Sequence, residues 1–187
     1  MMQSAPCPHP RSLGWLELGV FAFLLQVALI YGASRTAAAG TLLPFALPAA
    51  HLLLLPFLIH NRSFWGIRLI LAGLVLNLAA MTLNGGLMPV ERGTAAKVIG
   101  DAASELKAGA PIPGTKSVLV EQGDGRLTVL SDVIILPLPR PARRAVSAGD
   151  VAVTSGAVIA LFELVRRNGF VRLDLGAGYR RRPAADR

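Results

Sequence analysis

Cysteine is nearly absent: Cys7 is the only one in 187 residues. A single thiol excludes an intrachain disulfide. The apolar run follows Cys7 instead of preceding it, so Cys7 is no lipoprotein acceptor either. Histidine is scarce as well, and His9, His51 and His60 all fall before the polar half, so no zinc-ligand spacing arises. The sequence has no P-loop, dinucleotide fingerprint or Ser-His-Asp arrangement, and Gly123-x-Gly125 is too short to stand for one. No cofactor and no metal is expected, and no catalytic residue is assigned. Charge is the third shortage. Charged residues make up 16% of the chain against 53% apolar, and few lie between Leu13 and Leu83. That distribution excludes an ordinary soluble domain.

The net charge of +8 would suit nucleic acid, but much of the excess lies in seven arginines from Arg166 onward. A basic tail beside a membrane helix is explained by topology and by anionic lipid, at ~1 kcal/mol per basic residue near the surface. Nucleic acid is therefore not the expected partner.

What the sequence does have is long apolar runs. Residues 1–12 read as a polar leader and 13–83 as a three-helix membrane region. Leu13 to Ala33 is too long for a signal-peptide core of ~7–15 residues and long enough to cross a ~30 Å hydrocarbon layer. Gln26 lies deep in it and should face another helix. Gly40 to His60 carries Pro44, Pro48 and Pro56, which membrane helices tolerate when neighbours satisfy the freed carbonyls. His51, midway, reads as a neutral imidazole bonded to a carbonyl freed by Pro48 or to a neighbouring helix, rather than as a proton relay. Asn61-Arg62-Ser63 forces a tight turn into Phe64 to Leu83. There Gly73, Asn77 and Asn84 share one face by helical spacing, a packing face of small and amide side chains. A polar stripe lining a substrate path is the other reading.

Asn84-Gly85-Gly86-Leu87-Met88-Pro89-Val90 ends that helix. Glycine accepts left-handed backbone and Pro89 forbids continuation. Residues 84–146 then read as an extramembrane segment with an amphipathic helix over Thr94 to Ala108. A proline-glycine linker, Gly109 to Gly114, follows. Lys116 to Glu121 and Arg126 to Leu130 alternate around Gln122-Gly123-Asp124-Gly125 and predict a β-hairpin. Ser131 to Leu138 is apolar apart from Asp132, and Pro137 to Pro141 must be extended. Ser147-Ala148-Gly149-Asp150 has capping-box spacing: Ser147 caps a fourth helix and Asp150 reaches back. That helix spans 147–165, with Ala152, Gly156 and Ala160 as a small-residue face, and a basic tail occupies 166–187. Its apolar core is shorter than the ~20 residues of a standard span, so a short tilted span or a re-entrant segment both fit.

The fold class is thus an α-helical polytopic membrane protein: four transmembrane helices with a small α+β insertion between helices three and four. Four spans put both termini on one side. Lys and Arg number ten on that side and nine on the other, where six acidic residues of the large loop offset them. The termini are therefore expected in the cytoplasm.

Taken in order, Asn77, Asn84-Gly85-Gly86-x-Met88-Pro89-Val90, Ser131-Asp132 through Pro137-Leu138-Pro139, and Val146-Ser147-x-Gly149-Asp150-Val151 resemble a family of small bacterial integral membrane proteins known only as a domain of unknown function. The resemblance covers roughly Gly40 to Val165. Ser131 stands where the family pattern has glycine. The resemblance implies a multi-pass protein of a bacterial cell membrane and no particular activity.

Asn77, Asn84, Gly85, Gly86, Met88, Pro89, Asp132, Ser147, Gly149 and Asp150 form the candidate cluster, expected where helix three exits and helix four enters. Two functions compete. One is a structural or accessory scaffold that engages the bilayer and a membrane-protein partner or a second copy. The other is a membrane enzyme or small-solute or cation carrier, in which Asp132 and Asp150 pair beside Asn84.

Overall fold

The computed structural model describes residues 13–33, 35, 37–139 and 142–168. The expected leader and most of the basic tail, from residue 169 onward, lie outside the described residues, as does Arg140. Four apolar helices dominate: α1 (Leu16–Ala33), α2 (Ala37–His60), α3 (Trp65–Leu83) and α6 (Ala148–Asn168). Gly40–His60, Trp65–Leu83 and Ala148–Arg167 are long and apolar enough to cross a membrane, and Leu16–Gly32 is a shorter apolar helix. The last helix runs three residues past the expected Val165, so at 21 residues it is longer than α1 and α3 and shorter only than α2. Large apolar side chains point outward, among them Phe21, Phe23, Phe45 and Phe162. Such a belt is stable against hydrocarbon and would aggregate in water.

Helix α1 packs on α2, α2 on α3, and α3 most extensively on α6. The last pair is held by backbone proximity. A Cβ on Gly66 would lie 2.1 Å from the Ala160 nitrogen, and one on Gly73 would lie 2.5 Å from the Gly149 oxygen. Gly149 and Gly156 present the reciprocal face, each with a backbone oxygen of α3 2.7 Å from its would-be Cβ. Four glycines spaced in sevens on two antiparallel helices let the main chains touch, which is how helices associate without a hydrophobic driving force between them. The expected face is thus real for Gly73, Asn77, Gly156 and Ala160. Gly66 and the role of Gly149 as a packing glycine were not read from the sequence.

Polar side chains tie the helix ends at the face away from the insertion. Asn61 donates to the Gly14 carbonyl (2.7 Å) and the Phe57 carbonyl (2.8 Å), and accepts from the Gly14 amide (2.9 Å). Glu163 of α6 accepts the amides of Trp65 (3.1 Å) and Gly66 (2.9 Å). It thereby caps α3, whose own N-cap, Phe64, has no side-chain oxygen to offer. Gln26 donates to the Ala50 carbonyl of α2 at 3.3 Å, as expected. His51 Nδ1 lies 2.8 Å from the Leu47 carbonyl, one turn back in its own helix. The imidazole is satisfied, but not by the carbonyl that Pro48 frees.

That freed carbonyl belongs to Pro44, and the turn after α3 lies against it. Gly86, at φ +95°, comes so close that a Cβ there would sit 1.8 Å from the Pro44 oxygen. Gly85, at φ +76°, meets nothing within 4 Å. Gly85 therefore answers only a conformational demand that asparagine could also meet. Gly86 answers both a conformational and a steric one.

Between α3 and α6 lies a small module: β1 (Met88–Glu91), α4 (Arg92–Ile99), α5 (Ala102–Glu105), β2 (Ser117–Val120), a 3-10 turn (Thr128–Leu130), β3 (Ile134–Ile135) and β4 (Ala145–Val146). The predicted hairpin does not form. β2 pairs in parallel with β1, Met88 opposite Ser117 and Glu91 opposite Val120. Its other edge takes the supposed linker, with hydrogen bonds from Ile112 N to Ser117 O (2.9 Å) and from Leu119 N to Ala110 O (3.0 Å). The physical reason is burial. Ser117, Val118 and Leu119 are all buried, a doubly covered strand rather than an alternating one. The sequence after it cannot be a strand, because Leu127 has φ +54°.

The expected helix over Thr94 to Ala108 is also divided. Gly100, at φ +70°, ends α4, and α5 starts again after it. Arg92 stitches the two together, donating to Glu121 (2.9 Å) and to the carbonyls of Ala103 (2.6 Å) and Leu106 (3.0 Å). Val90, Ala95, Ala103, Ile112 and Leu119 form the module's own core. The apolar segment after Asp132 supplies β3, which pairs antiparallel with β4, and the proline-rich stretch is the connection between them.

Candidate functional site

The polar residues meet where the module sits on α3 and α6. Ser147 precedes α6 and is completely buried. Its hydroxyl accepts the Asp150 amide at 3.0 Å, and Asp150 Oδ2 accepts the Ser147 amide at 3.2 Å, so the predicted capping box is formed. The same hydroxyl donates to Asn77 Oδ1 of α3 at 2.8 Å, and Asn77 Nδ2 donates to Asp150 Oδ1 at 2.8 Å. Lys116, from the loop before β2, forms a salt bridge with that same Oδ1. Gly149 is needed here, since a Cβ on it would lie 2.0 Å from Asn77 Oδ1. One knot thus joins α3, α6 and the module, and every Asp150 oxygen is occupied.

Asp132 lies beside this knot. Its Oδ2 accepts the Ser117 hydroxyl at 2.6 Å, and its amide donates to the Pro89 carbonyl at 3.3 Å. Oδ1 is buried and receives no hydrogen bond from any described side chain or backbone group. Burial pushes this carboxyl from its ordinary 3.8 up to about 6; the Lys116 charge and the Ser117 hydrogen bond pull it down and the Asp150 charge pushes it up. A raised acid pKa means that the folded state binds the proton more tightly than the unfolded one. The fold therefore loses stability as pH rises from about 4 through 6, by about 3 kcal/mol at most. Asp132→Asn removes that dependence. The stability of the native protein minus that of Asp132→Asn is expected to fall between pH 4 and pH 7, read by unfolding both in the same detergent; a difference independent of pH would contradict it.

The cluster read from the sequence separates into parts. Asn77, Ser147, Gly149 and Asp150 are together in the knot, and Asp132 adjoins it. Met88 and Pro89 belong to β1. Asn84 faces elsewhere: it clamps residue 126, donating to the Arg126 carbonyl and accepting the Arg126 amide, both at 2.8 Å. Gly85 and Gly86 form the turn against α2. Asn84 therefore does not join Asp132 and Asp150; Lys116 holds Asp150, Ser117 holds Asp132, and Asp132 still feels the Asp150 charge. Sequence reasoning missed Lys116 and Ser117. The one available signal was that Lys116 is the only basic residue between Ala108 and Gly125.

Next to the knot is a cavity of about 220 Å³ between α4, β2 and β4, floored by Ile30 of α1. Val98, Ile99 and Ile112 give it apolar walls, and Lys116, Asp132 and Arg144 reach its lining. Among the described residues, no three His, Cys, Asp or Glu side chains are grouped to hold a metal ion.

Residues 11–162 match the family of unknown function DUF5317. The chain belongs to this family. The DUF5317 region takes in the whole knot, the module and nearly all of the four helices, and stops one residue short of Glu163. No curated protein and no solved structure matches the chain.

Proposed function

We propose that this DUF5317 member is a four-span protein of the cell membrane whose module is a rigid platform for a partner, a membrane protein or a second copy. The observation that supports it is the knot. Asp150, the best-placed carboxylate, is committed to Lys116, Asn77 and Ser147, an arrangement that fixes the module to α3 and α6 and leaves no oxygen for chemistry. Helix α1 is taken as the remaining span, tied to α2 and to the turn after it. The balance of basic residues favours both termini in the cytoplasm and the module outside, with the basic tail against anionic lipid.

The test uses an impermeant maleimide carrying a photoreactive group, applied to intact cells that express the chain with Cys7→Ser and either Asp124→Cys or Glu105→Cys. Labelling before lysis and a discrete larger adduct after illumination are expected. Labelling only after lysis reverses the orientation, and labelling at both sites without any discrete adduct refutes the platform role. A second reading, a small-solute site at the same face, is favoured by the apolar cavity with Lys116 and Asp132 in its lining.

A further inference from the structure

Residues 127–139, Leu-Thr-Val-Leu-Ser-Asp-Val-Ile-Ile-Leu-Pro-Leu-Pro, contain one charged side chain, and the fold turns it inward. Asp132 is 2% exposed, whereas Val129 is 81% exposed and Leu127, Val133, Ile134 and Leu138 are also open. An uncharged apolar ridge on a module otherwise rich in surface charge needs an occupant.

Its position identifies one. The ridge is tethered at its start and at its middle to the level where the long helices stop. At its start, Asn84, the residue that ends α3, holds the backbone of Arg126. At its middle, Ile134 pairs with Val146, which immediately precedes Ser147 and α6. The 3-10 turn between these tethers contacts both α3 and α6. Leu130 packs inward against the cluster of Leu43, Leu87 and Val118, so Leu127 and Val129 take the outward side. On the helices themselves, Leu83 at the end of α3 and Val151 at the start of α6 are likewise open. The apolar belt of the helices and the ridge of the module therefore meet at one level.

We infer that residues 127–138 dip into the edge of the bilayer, with Leu127, Val129 and Val133 in the acyl–headgroup boundary and Arg126 among the phosphates. Apolar side chains flanked by a basic residue are the composition of interfacial anchors. Leu127 adopts a left-handed backbone, a cost for a non-glycine residue, and its side chain is 45% exposed. Lipid contact here rests on α2, α3 and α6 crossing the same bilayer.

Spin labels at single cysteines in a Cys7→Ser full-length chain, reconstituted in liposomes, test it. Labels go at positions 129 and 133, at 122 as an exposed module site, and at Leu161 on the outward face of α6. Collision with oxygen, which concentrates in hydrocarbon, is compared with collision with an impermeant nickel complex. Oxygen is expected to dominate at 161, 133 and 129, and nickel at 122. Nickel dominating at 129 and 133 while oxygen dominates at 161 overturns the ridge alone. Both reagents excluded at 129 and 133 overturns it in favour of a protein cover, a second copy or a partner. Nickel dominating at 161 as well overturns the membrane reading itself. All four positions tolerate a label sterically, since none is buried.

Discussion

Gly66→Ala is expected to destabilise the protein by about 3 kcal/mol or more, although it adds a single methyl group. The methyl would enter a space already held by the Ala160 nitrogen at 2.1 Å, the Gly156 oxygen at 2.4 Å and the Ala160 Cα at 2.6 Å. All three are main-chain atoms of α6. No side chain can swing away, so the helices must separate over several turns. Separation also pulls Glu163 from the amides it caps, because Gly66 is one of the two. Gly93 provides the control. It lies inside α4 with nothing within 4 Å of a new Cβ, so Gly93→Ala should stabilise by roughly 0.5–1 kcal/mol through the unfolded chain. The opposite signs of the same chemical change, read by denaturant titration in one detergent, are the prediction. Equal small effects at both positions would mean that α3 and α6 are not in backbone contact.

Asp150→Leu should cost ~2–3 kcal/mol, less than the ~3–5 kcal/mol of breaking a fully buried ion pair from one side, because the Lys116–Asp150 pair is half-buried. Lys116 is 17% exposed and would keep its charge without a partner. Asn77 would lose the acceptor for its amide, and the Ser147 amide would lose its cap. Removing both charges together, Lys116→Met with Asp150→Leu, should recover a good part of the loss, because the orphaned ammonium is then gone. Thermal unfolding of the two single variants and the double variant gives the coupling. Additive effects would show that Lys116 and Asp150 do not act on one another, and the knot would then be no joint between module and helices.

The helices could be read from sequence because each is a long apolar run bounded by turn residues, and one residue's neighbours largely decide its state. The capping box was equally legible: Ser147 and Asp150 are three apart, and their hydrogen bonds never leave that turn. The module was not. Parallel pairing of Met88–Glu91 with Ser117–Val120 joins segments nearly thirty residues apart, and a five-residue alternation such as Arg126 to Leu130 fits a strand as well as a 3-10 turn. Gly100 reads as one small residue within an amphipathic period, until its positive φ breaks the helix. Lys116 shows the limit for the site. Its partner lies 34 residues onward, across the module, and nothing local to either residue marks the pair.

The close fit of α3 to α6 also sets an order of construction. More than sixty residues separate the two helices in the chain, so α3 is made, and placed, well before the surface that completes it. Until then its glycines face a gap, the amides of Trp65 and Gly66 lack the carboxylate that caps them, and Asn77 has neither the hydroxyl nor the carboxylate it will bond. Each is costly wherever water cannot take the partner's place. The arrival of α6 settles both ends of α3 in one step, Glu163 at its start and Ser147 with Asp150 near its finish. A nascent chain halted after the module is left with an unclosed seam along its third helix, so the last helix to be made is the one that finishes the third.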